Sequence, residues 1–288
     1  MAIDWTVVPA TGSTEFIDLT TADVYLEEVW SQLLVSERQR KLVFAGNVDR
    51  RQEQYLKKGQ VLHIGQISNL AARSKSANTA ISYETITETE ASVTINNYYY
   101  AAFAMEDVIT PMVSVDLVSK YMPKLGYALA KQEDDDLAAL IDDGTITQTV
   151  GTLATNLTHD NLIRSDQYLN DAEAPEDERV IIISHAEKAG FLKMDQFVHK
   201  DYSDLRQGLL GGWLGMYPIF VTGNTNGDNT NGHDCVMMHK SAIVHIQQIK
   251  PVVKTYWDID YFAAKVAALE TYGHTVVQPA MAVWMKAA

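Results

Sequence analysis

Between Ser114 and Gly144 the apolar positions recur at three- and four-residue steps. Val115, Val118, Met122, Leu125, Leu129, Leu137 and Leu140 form one row, broken at Gln132, and such a stripe predicts a single long helix. Ser114 is placed to cap its first turn, and Asp116 sets a negative charge at the positive end of the helix dipole. Gly144 supplies the residue free to turn left-handed and close the helix. From Val115 to Asp143 the run is 29 residues, about 43 Å at roughly 1.5 Å per residue. Pro123 lies inside it, where it removes a hydrogen bond and clashes with the Ser119 carbonyl, at ~3 kcal/mol or a bend. Glu133, Asp134, Asp135, Asp136, Asp142 and Asp143 crowd the end where the dipole is already negative. A helix with both penalties has to be held by contacts outside itself.

Upstream the apolar period changes to two. Over Ala91, Val93, Ile95, Asn97, Tyr99, Ala101 and Phe103 the odd positions are mostly apolar, within a run from Tyr83 to Tyr100 rich in Thr, Val, Ile and Tyr. Lys58 to Ile64 reads as a second strand. The intervening Ser68 to Ala80 is polar and small, which predicts a two-stranded finger whose tip carries Arg73 and Lys75. An isolated hairpin is marginal in water, so the finger needs a partner surface, and a copy of the same chain is the expected one.

The flanks complete a mixed α+β pattern. Residues 1–19 lack periodicity and read as an extended arm. Thr20 and Asp23 form a capping pair for a helix with Leu26, Trp30, Leu33 and Leu34 on one face, ending in Arg38, Arg40 and Lys41. Either this helix packs on its own domain or it reaches a neighbouring subunit. After Gly144 comes a polar connector to Leu157, then a Thr158-capped helix through Leu162 and Tyr168. An acidic loop (172–179) leads to a buried strand, Val180 to Ile183, and a Ser184-capped helix through Phe191 and Leu192. A glycine-rich loop (205–215), a strand from Met216 to Thr222 and an Asn/Gly turn (223–232) follow. Cys235 to Ile246 and Val252 to Trp257 read as strands, and Tyr261 to Leu269 as mixed. The last strand, Thr275 to Trp284, is interrupted at Pro279.

Composition narrows the class. The 288 residues, 47% hydrophobic and 21% charged, suit a folded globular protein with a large core. No run approaches the ~18 apolar residues of a membrane helix, and the start MAIDWTVVPATGST lacks a basic-then-apolar signal, so no membrane partner is expected. The single cysteine, Cys235, excludes an internal disulfide framework and suits a reducing compartment. Residues 1–80 carry nine basic and nine acidic side chains, out of totals of 23 and 37, so residues 81–288 hold the whole net charge of −14. Such a surface repels phosphate and disfavours a grip on nucleic acid. A container that must not stick to nucleic acid stays open.

No catalytic signature emerges. Glu133 to Asp136 are metal-ligand types, but consecutive helical residues step by about 100°, so their side chains fan out; solvated or interfacial charge is the plainer reading. His233, Cys235 and His239 lack a fourth ligand at a recognisable spacing. GNTNGDNTNG has one acidic residue, Asp228, where a calcium loop needs several. LRQGLLGGWLG has no Lys-Ser/Thr after its glycines, so a phosphate cradle is unsupported. No cofactor is expected.

Two stretches resemble the major capsid proteins of tailed phages, with the Hong Kong 97-like fold. One is ISYETITETEASVTINNYYYAAFAMEDV (81–108) running into SVDLVSKYMPKLGYALAKQEDDDLAALID (114–142); the other is DLRQGLLGGWLGMYPIFVTGNT (204–225). The resemblance implies an N-terminal arm and helix over 1–44 and an extended β-hairpin loop over 45–85. It places a peripheral domain over 86–149 and 251–288, with its spine helix at 114–143, and an α/β axial domain over 150–250. It further implies self-assembly into hexamers and pentamers of an icosahedral virion shell, built in the host cytoplasm around packaged DNA. A separate scaffolding protein and a portal are the other implied partners. Arg73, Lys75, Arg38, Arg40, Lys41, Glu133, Asp134 and Asp135 are the expected contacts between subunits. The alternatives are a nanocompartment shell of the same fold, and an acidic metal-dependent enzyme using Glu133 to Asp136.

Overall fold

A computed structural model describes residues 42–67, 72–83, 85–86, 88–108, 117–194, 217–228 and 230–288, with Gln39 and Leu70, all in the unit Arg38–Ala288. The arm, the first predicted helix with Arg38, Arg40 and Lys41, the Ser114 cap and the 205–215 loop lie outside the described residues. In chain order the elements are β1 (Val61–Ile67), β2 (Glu88–Thr94), β3 (Asn97–Glu106), α1 (Leu117–Ala139), β4 (Thr149–Gly151), α2 (His159–Asp171) and β5 (Arg179–Ile183). They continue with α3 (His185–Phe191), β6 (Ile219–Val221), β7 (Gly227–Asp228), β8 (Gly232–His239), β9 (Ile243–Asp258), β10 (Ala263–Val276) and β11 (Ala282–Ala287).

The described strands form three sheets. β1 and β2 pair antiparallel, from Val61 opposite Thr94 to Ile67 opposite Glu88. β3, β10 and β9 form the second sheet in that order, and β4-β11-β8-β5-β6 the third, with β7 beside β8. The third sheet is mixed: β4 runs parallel to β11 and β6 parallel to β5, while β8 is antiparallel to both β11 and β5. Both its faces are covered. Ile181, Ile183, Cys235, Met237, Val283 and Met285 pack under Leu162, Leu169 and Phe191 of α2 and α3. The alternate residues Val180, Ile182, Val236, Met238 and Ala282 pack on Leu137, Ala138 and Ile141, together with Val43, Phe44 and Val48. That double burial explains the continuous apolar run Val180–Ile183.

α1 joins two cores. Its middle, through Leu125 and Leu129, packs on Tyr99, Ala101, Phe103, Val266 and Ala268 of the second sheet, and its end reaches the third. The helix runs on through Pro123. It closes at Ala139, four residues before the predicted end, through tighter Leu140-to-Leu137 and Ile141-to-Ala138 hydrogen bonds. Gly144 is left-handed, at φ +83°, but it lies five residues past the helix end and turns the connector there, so it does not close the helix as expected. The capping predictions hold downstream: the Thr158 hydroxyl accepts from Asn161 N–H, and that of Ser184 from Glu187 N–H.

Four expectations change. The Tyr83–Tyr100 run is not one strand, because the chain bends at Ile95–Asn96 and hands β2 and β3 to different sheets. The hairpin spans 61–94, not 45–85, because Val43, Phe44, Val48 and Leu56 are apolar enough to be drawn into the cores. Lys240–Ala242 is a single helical turn that splits Cys235–Ile246, while β9 continues to Asp258 through Pro251. Tyr261–Leu269 belongs mostly to β10, and β11 leaves residues 251–276 to insert between β4 and β8. Val283, Met285 and Ala287 are buried there, which is what the strand gains by crossing over.

Gly273 marks where β10 passes the β2–β3 bend. A Cβ there would lie 2.2 Å from the Thr94 carbonyl oxygen. Gly273→Ala is expected to lower stability by roughly 1–3 kcal/mol, since the obstructing atom is backbone. Urea unfolding of the two proteins measures this.

Candidate assembly surfaces and the buried end of the long helix

The finger is only half covered. Leu62, Ile64 and Ala91 pack with buried Val93 on Leu56, Ile95, Val244, Ile246 and Val277. Gln66 Nε2 donates to the Val277 carbonyl at 2.9 Å, holding the outer end of the paired strands. Beyond Ile67 and Glu88 this support ends. Ile67 and Tyr83 are 85% and 87% exposed, and Leu70, Ile81 and Ile86 are also exposed. Leu70, Arg73, Lys75, Ile81, Tyr83 and Ile86 line an open groove of about 620 Å³. The tip turns at Asn78, whose φ is 62°, and Thr79 donates to the Ser76 carbonyl through both N–H and hydroxyl. A group of exposed apolar side chains flanked by cations is suited to bind another protein surface.

The far end of the β9–β10 ribbon is a second such surface. Every β9 residue from Ile249 to Trp257 is exposed. Ile259, Tyr261 and Phe262 crown the turn, and Trp257 Nε1 anchors it to Asp107 at 2.8 Å. Sequence reasoning missed this surface. Its available signal was the apolar turn Ile259-Asp260-Tyr261-Phe262, atypical because turns are usually polar.

The acids of α1 fan out as their helical steps require, yet they are not a solvated patch. Asp134 is fully buried and accepts from Ala45 N–H at 3.0 Å, Val43 N–H at 3.3 Å and Asn224 Nδ2 at 3.1 Å. Burial pushes its carboxyl above the ordinary value, against the pull of those donors. Glu133, 7% exposed, pairs with Arg50, and His245 Nε2 lies 3.0 Å from the same oxygen, outside good hydrogen-bond geometry. Burial raises this carboxyl, but His245 and then Arg50 outweigh it and hold it low. Asp136 accepts from Tyr272 Oη at 2.7 Å and Gln132 Nε2 at 2.9 Å. Asp135 alone stays at the surface, 3.7 Å from Lys131.

This corrects the reading of Glu133 and Asp134 as surface charge. The turn at Phe44–Gly46 begins with N–H groups that no side chain of its own segment caps, and Asp134 is the acceptor they need.

The other chemical candidates are dispersed. Cys235 is fully buried, its thiol pushed up to about 12 by desolvation. His233 and His239, six residues apart on β8, are held by Thr225 and by Ser241. Asp228 accepts from Thr230 and Asn231 N–H, which is turn chemistry. Among the described residues, no group of three or more His, Cys, Asp or Glu side chains is placed to hold a metal.

Asp134→Ala strands two buried donors and a half-buried one and is expected to cost about 3 kcal/mol or more. Asp135→Ala should change stability by less than about 0.5 kcal/mol. Parallel urea titrations of the two variants check both values.

The architecture can now be set beside known proteins. A profile of the family described as phage capsid protein matches residues 42–287. By structure, the chain is similar to a protein of Mycobacterium phage Che8, at a TM-score of 0.79 and 25% identity, over 91% of this chain and 97% of that one. The capsid structure of cyanophage P-SCSP1u matches at 0.73 with 15% identity, over 93% and 94% of the two chains. A protein of Gordonia phage Cozz matches at 0.71 with 13% identity, over 100% and 98%. No curated protein matches. The fold is the Hong Kong 97-like fold of tailed-phage capsids, and the chain belongs to the phage capsid protein family.

Proposed function

We infer that this chain is the major shell subunit of a tailed phage, a structural protein that self-assembles into the icosahedral capsid of the virion. The family match over residues 42–287 carries this reading. The exposed apolar finger tip and ribbon end support it, since neither has a partner surface within the described part of its own subunit. The same match does not favour a nanocompartment shell, and it supports a structural role without catalysis.

The finer partners belong to the same proposal. Arg73 and Lys75 at the finger tip contact a neighbouring subunit, with Arg38, Arg40 and Lys41 of the arm segment and Asp135 of α1 as further contacts. Glu133 and Asp134 contribute by stiffening the subunit from inside. Assembly proceeds in the host cytoplasm with a separate scaffolding protein and a portal. The enclosed double-stranded DNA is held without specific binding, because an acidic wall lets it slide.

Electron micrographs of the purified protein, alone and with its scaffold, should show shells or rings, and a strictly monomeric protein would refute the reading. Exchanging Arg73 and Lys75 together for Glu should reduce particle yield at least ~10-fold. Because both residues are exposed, subunit stability should change by less than about 0.5 kcal/mol. Sedimentation and urea unfolding separate these two outcomes.

A further inference from the structure

Beside the Glu133 pair lies a second acid with no role in the reading above. Glu270 of β10 is fully buried; among the described residues its Oε2 accepts only a long hydrogen bond from Gln247 Nε2 at 3.4 Å, and its Oε1 has no hydrogen-bond partner. The surrounding groups are Glu133 and Asp136 of α1, Arg50 and Glu53 of the 50–54 segment, His245 and Gln247 of β9, and Tyr99 of β3. Tyr272 and His274 of β10 complete the set. Cationic help for Glu270 is scarce. Arg50 is committed to Glu133, and burial followed by the neighbouring His245 drives the His274 ring towards its neutral form.

We propose that Glu270 and Glu133 act as a one-proton latch between α1 and the β9–β10 ribbon. With the proton on Glu270 the ribbon lies closed on the helix, and loss of that proton loosens the seam. Two neighbouring carboxylates cannot both ionise cheaply in an interior, and Arg50 and His245 both lie against Glu133, so the proton rests on Glu270. Protonated Glu270 is neutral and gains an O–H donor, whereas the ionised form is a buried charge repelled by Glu133. Desolvation first, and Glu133 second, raise this carboxyl to about 7.

The linkage follows from the sign of that shift. The folded protein holds the proton more tightly than the unfolded chain, whose value is 4.5. The stabilisation is therefore full below the unfolded value and is lost as pH rises through about 7. Between those two values each unit of pH lowers the folded-to-unfolded ratio by up to about tenfold through this one proton, and above about 7, where both states have released it, the change levels off. Glu187 is a separate buried acid, raised to about 7 by desolvation, and has to be distinguished. It accepts from Leu157 and Ala288 N–H in the core under α2 and α3, away from the seam.

The test is hydrogen exchange by mass spectrometry on the full chain at about pH 6 and about pH 8.5, corrected for intrinsic rates. Amides of residues 117–139 and 263–276 should lose protection at the higher pH in the wild type and in Glu187→Gln, but keep it in Glu270→Gln. Equal protection at both pH values in the wild type overturns the latch, as does an undiminished loss in Glu270→Gln. If Glu270→Gln does not fold, infrared difference spectra of Glu187→Gln carrying isotope-labelled glutamate, which sets glutamate bands apart from those of the buried Asp134 and Asp234, decide over the same range. Disappearance of a carboxylic-acid C=O band supports the proposal, and its absence refutes it.

Discussion

The acidic end of the long helix, turned inward, is the constraint on which the rest of this subunit depends. Asp134 supplies the acceptor for the turn at Phe44–Gly46, and that turn carries Val43, Phe44 and Val48 into the core beneath the six-stranded sheet. One step away, Glu133 ties the helix to Arg50, and Asp136 ties it to Tyr272 of β10. Three elements distant in sequence are thereby fixed to adjacent positions of one helix. The unfavourable placement of these acids at the negative end of the dipole is offset because each has its own donor in the interior.

With the helix fixed at both sheets, the subunit has a firm body and two extremities. The third sheet buries both faces, the second buries one face against the long helix, and the finger is held by Gln66 and the cluster around Val93. Exposed apolar side chains gather where that support ends, at the finger tip and along the outer half of β9 and its turn. For a capsid protein this division is physically sensible. A body packed from inside preserves the shape that a shell repeats, and exposed apolar ends are suited to association.

Much of this was legible in the sequence, for local reasons. Thr158 and Ser184 announced their helices because an N-cap needs only its own next three residues. Val180–Ile183 announced a doubly buried strand, and the alternation from Ala91 to Phe103 announced two-sided strands. What that alternation left out was the bend at Ile95–Asn96. The odd residues face inward on both sides of it, so the period of two continues while the chain passes from one sheet to another. The close approach of Thr94 to Gly273, a residue far along the chain, is what makes the bend fit.

The sequence alone thus determined most element types, the long helix, the finger and the family likeness, because these rest on periods and caps within a few residues. Only the tertiary structure decided where the charges went. Four acids in a row read as a solvated face, since within a turn of Glu133 or Asp134 the sequence offers one cation, Lys131, which goes to Asp135. Their partners, Arg50, Val43, Ala45, His245 and Asn224, lie roughly 80 to 110 positions away and meet them only when three sheets have assembled around the helix. Burial of a charge is a property of that assembly, and no local pattern encodes it.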